Sequence, residues 1–488
     1  MLFNSLQFLL FLPFVTIVYF ALPYKYRWLW LLLSSYYFYM CWSPKYAILI
    51  FTSTVITYLS GIAIDKINKS TSIIKKKKYK NWCVAFSFSI NLLILIYFKY
   101  FNFFIENINL ISNKYNLSEG FSFVEILLPV GISFYTFQAL SYTMDVYRGD
   151  TKTEYHFGRY ALFVSFFPQL VAGPIERSSH LLSQFKTKHK FSYSNLWEGS
   201  FLIIRGLFKK VVIADRLAVL VNTIYNDPTA YEGFPLIIAT IFFTFQIYCD
   251  FSAYSDIAIG SAKIMGFDLM QNFNKPYLSQ NITEFWRKWH ISLSTWFRDY
   301  LYIPLGGNRV SNLKRLRNIF IVFTVSGLWH GASWNFIIWG ALHGIGLIFE
   351  QLLKPIKQII NSSFNIKTST YGSKLFYIIL TFSFVSLAWV FFRANTLTDA
   401  IYILQNMFSI TSFELLKTGL SDFDLSFSFY LIIFLISIQI IERKYNLTKI
   451  IYKQNTIPRW ISLVSIVLII IFWGFYPVEP TKFIYFQF

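Results

Sequence analysis

Charge is scarce in this sequence, and acidic charge most of all. The 488 residues include 24 Asp and Glu against 44 Lys and Arg, together only 14%. A soluble domain carries about 25% charged residues, so a water-facing surface over this length is excluded. Cysteine is nearly absent: Cys41, Cys83 and Cys249 each lie in or beside an apolar segment. That rules out a disulfide framework and closely spaced thiolate ligands, and the three read as small buried apolar residues. Glycine-rich phosphate loops, GxSxG and HExxH are missing. Only six histidines are present, with no third ligand spaced to complete a metal site around any pair. No bound cofactor is expected. There is no polar linker and no fixed-period repeat, so residues 1–488 read as one membrane-embedded domain.

What is abundant is apolar: hydrophobic residues make up 55% and aromatic residues 21%. A hydrocarbon core of ~30 Å takes roughly 20 apolar residues as helix. Such runs lie near 5–22, 27–42, 45–65, 82–104, 122–147, 197–222, 234–262, 375–392, 425–441 and 460–476. They are continuous, without the alternation of a barrel strand, so the fold class is an all-α polytopic membrane protein. The first run has no preceding positive residue and no cleavage site, and is kept as a helix. The stretch 318–349 is apolar, long and rich in Gly and Trp, which fits a broken or re-entrant pair. The stretch "GRYALFVSFFPQLVAGPI" is interrupted by Pro168, Gly173 and Pro174. It reads as a half-inserted segment that protein or water must surround.

The net charge of +20 is confined to loops such as "DKINKSTSIIKKKKYK" and the stretch from "FWRKWH" to "NLKRLR". This is the positive-inside pattern, with contact to anionic lipid as an addition and no nucleic acid. Placing the lysine-dense loop in the cytoplasm puts both termini outside. It also puts "NDPTAYEGF", which has no Lys or Arg, outside.

Polar residues inside apolar runs are where chemistry is sought. His330 sits in the middle of "GLWHGASWNFIIWGALHG", walled by Trp329, Trp334 and Trp339. Gly327 and Gly331 flank it and permit close helix approach. Its readings are a site residue or a core histidine bonded to a neighbouring helix. His343 follows 13 residues later, facing away if the helix is unbroken, and reads as structural. His290 lies in a Trp-, Arg- and Lys-rich stretch that suits interfacial packing or chemistry. His156, His180 and His189 fall in basic loops and read as solvated. Asp250, Asp256, Lys209, Lys210, Asp215 and Arg216 either pair across helices or line a water-filled cavity.

The blocks "LPVGISFYTFQALSYTMDVYRG", "FFPQLVAGPI", "DFSAYSDIAIG", "FWRKWHISLSTWFRDYLYIPLGGNR" and "GLWHGASWNFIIWGALHG" run in order between about residues 127 and 346. In this the chain resembles the membrane-bound O-acyltransferase family, in its bacterial branch of alginate and peptidoglycan O-acetyltransferase membrane subunits. The teichoic acid D-alanyl branch is less similar. The resemblance implies a ring of about 10–12 helices and re-entrant segments around a central tunnel. It places the essential histidine on His330 and a second polar residue on His290. Trp286, Trp329, Trp334, Asn335 and Asp250 are expected to line the tunnel or bind substrate. The donor would be a cytoplasmic acyl thioester such as acetyl-coenzyme A, and the acceptor an extracytoplasmic polysaccharide. The setting would be the bacterial inner membrane. Alternatives are D-alanyl or other acyl transfer to a cell-wall polymer, a transporter or flippase using His330, Asp250 and Asp256 as a relay, and a non-catalytic scaffold.

The sequence closes on "FIYFQF". Aromatics so near a membrane-spanning run serve as an interfacial anchor. Their apolar side chains are costly in water, so residues 477–488 are also expected to fold back onto the protein. The resemblance adds a second reading. Tyr485 would carry the acyl group to an extracytoplasmic acyltransferase partner, with Phe483, Phe486 and Phe488 seating the segment.

Overall fold

The computed structural model describes residues 1–70, 74–116, 120–171, 173–363, 370–409, 419–476 and 483–484. Every regular element among these residues is helical. Seven helices are long and apolar enough to cross a membrane: Pro44–Lys69, Lys76–Tyr115, Phe234–Ile264, Trp334–Ile356, Tyr371–Arg393, Asp422–Lys444 and Thr456–Trp473. The protein is an all-α, multi-pass membrane protein.

The sequence predicts more crossings than these seven, and the differences have local causes. Leu6–Ala21 is apolar but has 16 residues, ~24 Å of helix at the usual rise. Tyr24–Met40 has 17 residues and carries Lys25 and Arg27 in its first turn. The run predicted at 122–147 is helical only as Ile132–Arg148, because Pro129 and the left-handed Gly131 (φ 73°) end the helix upstream. The run predicted at 197–222 contains a π-helical turn, Phe208–Ala214, between Tyr193–Leu207 and Asp215–Asn226. The stretch 318–349 is a broken pair. Asn312–His330 ends, Gly331 is extended, and a second helix starts at Trp334.

The chain packs as two compact units. The first comprises Met1–Ser200 and Ile257–Met270. Some of its buried polar groups are bonded to a neighbouring element, as apolar surroundings favour. Gln138 Nε2 donates to the Phe163 carbonyl at 2.6 Å and Tyr160 Oη to Thr57 Oγ1 at 2.7 Å. The proline-interrupted stretch forms the short helices Phe157–Ser165 and Phe167–Leu170, with most side chains buried in protein. The three histidines of this unit are bonded rather than simply solvated. His156 Nδ1 accepts from Arg159 N at 3.2 Å, His180 meets Glu176 at 2.8 Å, and His189 donates to the Gln184 carbonyl at 3.0 Å.

The second unit comprises Phe201–Asp256 and Gln271–Phe488. Its centre is the hairpin of Asn312–His330 and Trp334–Ser363. The two helices touch backbone to backbone, which only small residues permit. A Cβ on Gly327 would lie 3.1 Å from Gly340 Cα and would collide with the Phe336 carbonyl. This close approach brings the end of the first helix, where His330 sits, beside Trp339 on the second.

Candidate active site

His330 is the last residue of its helix and is buried. Its imidazole packs edge-on against Trp329, Trp339 and Phe392, with ring centroids 4.9, 5.0 and 5.4 Å away. The fourth ring around it is another imidazole: His290 lies 6.4 Å away, centroid to centroid. Two histidines 40 residues apart in sequence are thus neighbours in one aromatic chamber.

Local backbone aims His290 into this chamber. It sits between the short helices Ile282–Lys288 and Ile291–Phe297 in the left-handed conformation, φ 43°. That region is uncommon outside glycine, costs about 1–3 kcal/mol and persists only where its surroundings enforce it. Asn272 enforces it. Its carbonyl accepts from Ile291 N at 3.0 Å, and its Oδ1 accepts from Ser292 Oγ at 2.6 Å. The His290 ring is fully buried and packs 4.6 Å from Phe251. Burial lowers its pKa to about 3, because the cation has lost its water, so the imidazole is neutral at physiological pH.

The other expected site residues fall into three positions. Trp286 and Trp329 belong to the chamber wall: Trp286 packs on Trp339 at 5.8 Å, and Trp329 on His290 at 6.3 Å. Trp286 also lines a cavity of about 190 Å³ with Leu293, Phe297, Arg298, Phe323 and Ser326. Asn335 is buried and ties the helix start to the Ala394 carbonyl at 2.8 Å. Trp334, one residue earlier, is 52% exposed. His343 accepts a hydrogen bond from Trp286 Nε1 at 3.2 Å, a structural contact. The helix break at 331–333 removes the phase argument that turns it away from His330, and it packs 5.0 Å from Trp339.

Asp250 lies one residue before Phe251 on the helix Phe234–Ile264. The charged residues of this region pair across helices. Lys210 Nζ stands 2.7 Å from Asp250 and 2.9 Å from Asp215, and Lys209 Nζ stands 2.6 Å from Asp256. Arg205 makes a two-pronged bond to Asp256 at 2.8 and 3.0 Å, and Arg216 pairs with Asp424. The π-helical turn Phe208–Ala214 buries the successive residues Lys209 and Lys210 against different carboxylates. The second oxygen of Asp250 accepts from the backbone N–H of Ile484 at 2.7 Å.

Phe483 and Ile484 are buried. The Phe483 ring lies 4.2 Å from Tyr254 and 5.7 Å from Phe251, the ring that also faces His290. The sequence places Tyr485 next along the chain; it lies outside the described residues, as do Phe486 and Phe488. Sequence reasoning missed Phe392, Asn272 and the Lys210 bond to Asp250. An Asn in a loop and a Phe in an apolar helix carry no local signal, and the choice among several acids for Lys210 is tertiary.

The model of the membrane-bound O-acyltransferase family matches residues 150–392, which include His290, His330 and Phe392. The chain is 40% identical to the probable alginate O-acetylase of Pseudomonas aeruginosa over 431 residues, 85% of this chain and 76% of that protein. It is 38% identical to the peptidoglycan O-acetyltransferase of Helicobacter pylori over 413 residues, 79% of this chain and 75% of that protein. Similarity extends to the teichoic acid D-alanyltransferase of Bacillus subtilis, 30% identical over 281 residues, 54% of this chain and 69% of that protein.

Proposed function

The chain belongs to the membrane-bound O-acyltransferase family, and from that premise we propose that it acetylates a cell-envelope polysaccharide by relay. The donor is a cytoplasmic thioester, acetyl-coenzyme A in the simplest case. The acetyl group passes to the Tyr485 hydroxyl, and an extracytoplasmic acyltransferase partner hands it to the polymer. Relatives 40% and 38% identical are named for alginate and for peptidoglycan, so an alginate-like exopolysaccharide or peptidoglycan is the acceptor. The setting is the bacterial inner membrane.

One observation carries this reading: the paired imidazoles of His330 and His290, 6.4 Å apart, in a buried aromatic chamber. Phe483 and Ile484 reach this neighbourhood, packed on Phe251 and bonded to Asp250. In the transfer, the tyrosine oxygen bonds to the thioester carbonyl carbon while His330 takes the phenol proton. The carbon–sulfur bond then breaks, and the thiolate leaves as thiol with that proton. His290, neutral and fixed by its turn, orients the donor or stabilises the oxyanion. A phenoxide, pKa ~10, leaves more readily than a sugar alkoxide, so the tyrosyl ester is a competent intermediate. Asp250 and Asp256 are ion-paired with lysines, which speaks against their serving as a proton relay in a transporter.

Replacing His330 with Gln should lower polymer acetylation by about 10²–10⁴-fold, the usual contribution of a positioned base, with protein level and insertion unchanged. Tyr485→Phe keeps the ring, removes the hydroxyl and should lose acetylation as fully. An interfacial anchor would tolerate Tyr485→Phe, and a scaffold would tolerate both changes.

A further inference from the structure

We propose that Asp250 is a positioning residue. Its carboxylate, fixed by Lys210, anchors the backbone at Ile484 and so sets the register of the segment that carries Tyr485. The inference rests on the acyl-relay reading of Tyr485, but its geometry lies wholly in described residues.

The two carboxylate oxygens of Asp250 have separate partners. One faces Lys210 Nζ at 2.7 Å, and the other accepts from Ile484 N at 2.7 Å. Lys210 is already matched by Asp215 at 2.9 Å. Asp250 thus turns its second oxygen to a backbone N–H, and a bond of that kind to a carboxylate is about twice as strong as a neutral one.

The anchor is built on one helical turn. Asp250, Phe251 and Tyr254 follow one another on Phe234–Ile264. Phe251 and Tyr254 grip the Phe483 ring at 5.7 and 4.2 Å, while Phe251 also packs 4.6 Å from His290. The same turn thus touches the histidine chamber on one side and holds residues 483 and 484 on the other. Tyr485 is one peptide unit beyond the anchored amide. Fixing that amide limits where the next residue can reach, and a misplacement of about 1 Å can cost 10²-fold in rate.

The test is hydrogen–deuterium exchange of the purified full-length chain, read on peptides covering 483–488, beside polymer acetylation. Asp250→Leu removes the acceptor and leaves Lys210 paired with Asp215. Ile484→Pro removes the donor, along with the buried Ile484 side chain and some backbone freedom, and leaves the ion cluster whole, so a purely structural cluster would not register it. Both should speed exchange across 485–488 by about tenfold or more, the loss expected for a bond to a charged group, and acetylation should fall by at least a similar factor. Tyr485→Phe should keep the protection and lose only acetylation. Exchange as slow as in the parent in Ile484→Pro would overturn the anchor, even if Asp250→Leu does not fold. Faster exchange in both variants with acetylation intact would keep the anchor and sink the acyl-carrier reading of Tyr485 instead.

Discussion

His290 shows at the scale of one residue how conformation and chemistry can be tested apart. Its φ of 43° suits Asn, which visits the left-handed region readily, and opposes a β-branched side chain. His290→Asn should therefore keep the turn and the thermal stability to within about 1 kcal/mol, while acetylation falls. His290→Val should lose acetylation and also destabilise by about 1–3 kcal/mol more than His290→Asn, read by thermal unfolding in detergent. Equal stability of the two variants would mean that Asn272 does not enforce the turn. The histidines were legible in the sequence because an ionisable ring in an apolar run is rare. Phe251, Phe392 and Asn272 were not, because each is ordinary in its own stretch and acquires its role only from what folds against it. The charged residues from Lys209 to Asp256 were visible too, but two readings stayed open until their pairings were seen.

Among the elements, the hairpin after residue 312 decides the site. Its break at Gly331 places His330 at a helix end and starts a new helix whose Trp339 forms the chamber wall. Sequence pattern announced an interrupted pair through its length and its glycines, but the register of the break was invisible. Phase arithmetic across it therefore does not apply to His343, whose contacts with Trp286 and Trp339 are structural. The glycines carry a quantitative expectation. A side chain at Gly327 has no room, since Phe336 and Gly340 backbone atoms occupy its place. Gly327→Leu must push the helices apart, and overpacking of this kind costs about 1–3 kcal/mol. The two rings of His330 and Trp339 separate with the helices. The expected outcome is a lower unfolding temperature together with loss of acetylation. Gly372 is the control, because a Cβ there would meet no atom within 4 Å: Gly372→Leu should match the parent. A stable, active Gly327→Leu would show that the backbone contact does not set the chamber.

Over the whole molecule, the excess of 44 basic over 24 acidic residues is expected to act as a sorting signal. Each Lys or Arg beside the anionic cytoplasmic leaflet gains about 1 kcal/mol, so the loop of the run from Lys75 to Lys78, at the start of the long helix Lys76–Tyr115, is expected inside. The loop holding the short helix Pro228–Ala230 has acidic residues and no Lys or Arg, and Ala230 is exposed. It is expected outside, and residue 480 with it. The relay requires this orientation, since thioester donors are cytoplasmic and the polymer is not. Impermeant thiol labelling of single cysteines at positions 76, 230 and 480 reads it directly. Cys41 is exposed and Cys83 half-buried, so both must first be replaced, whereas Cys249 is buried. In intact cells the reagent should modify Ala230→Cys and Pro480→Cys, and should reach Lys76→Cys only after permeabilisation. Modification of Lys76→Cys in intact cells would invert the scheme. Protection of Pro480→Cys with Ala230→Cys labelled would separate residue 480 from the outer face, and would remove the route by which Tyr485 delivers acetyl to an extracytoplasmic partner.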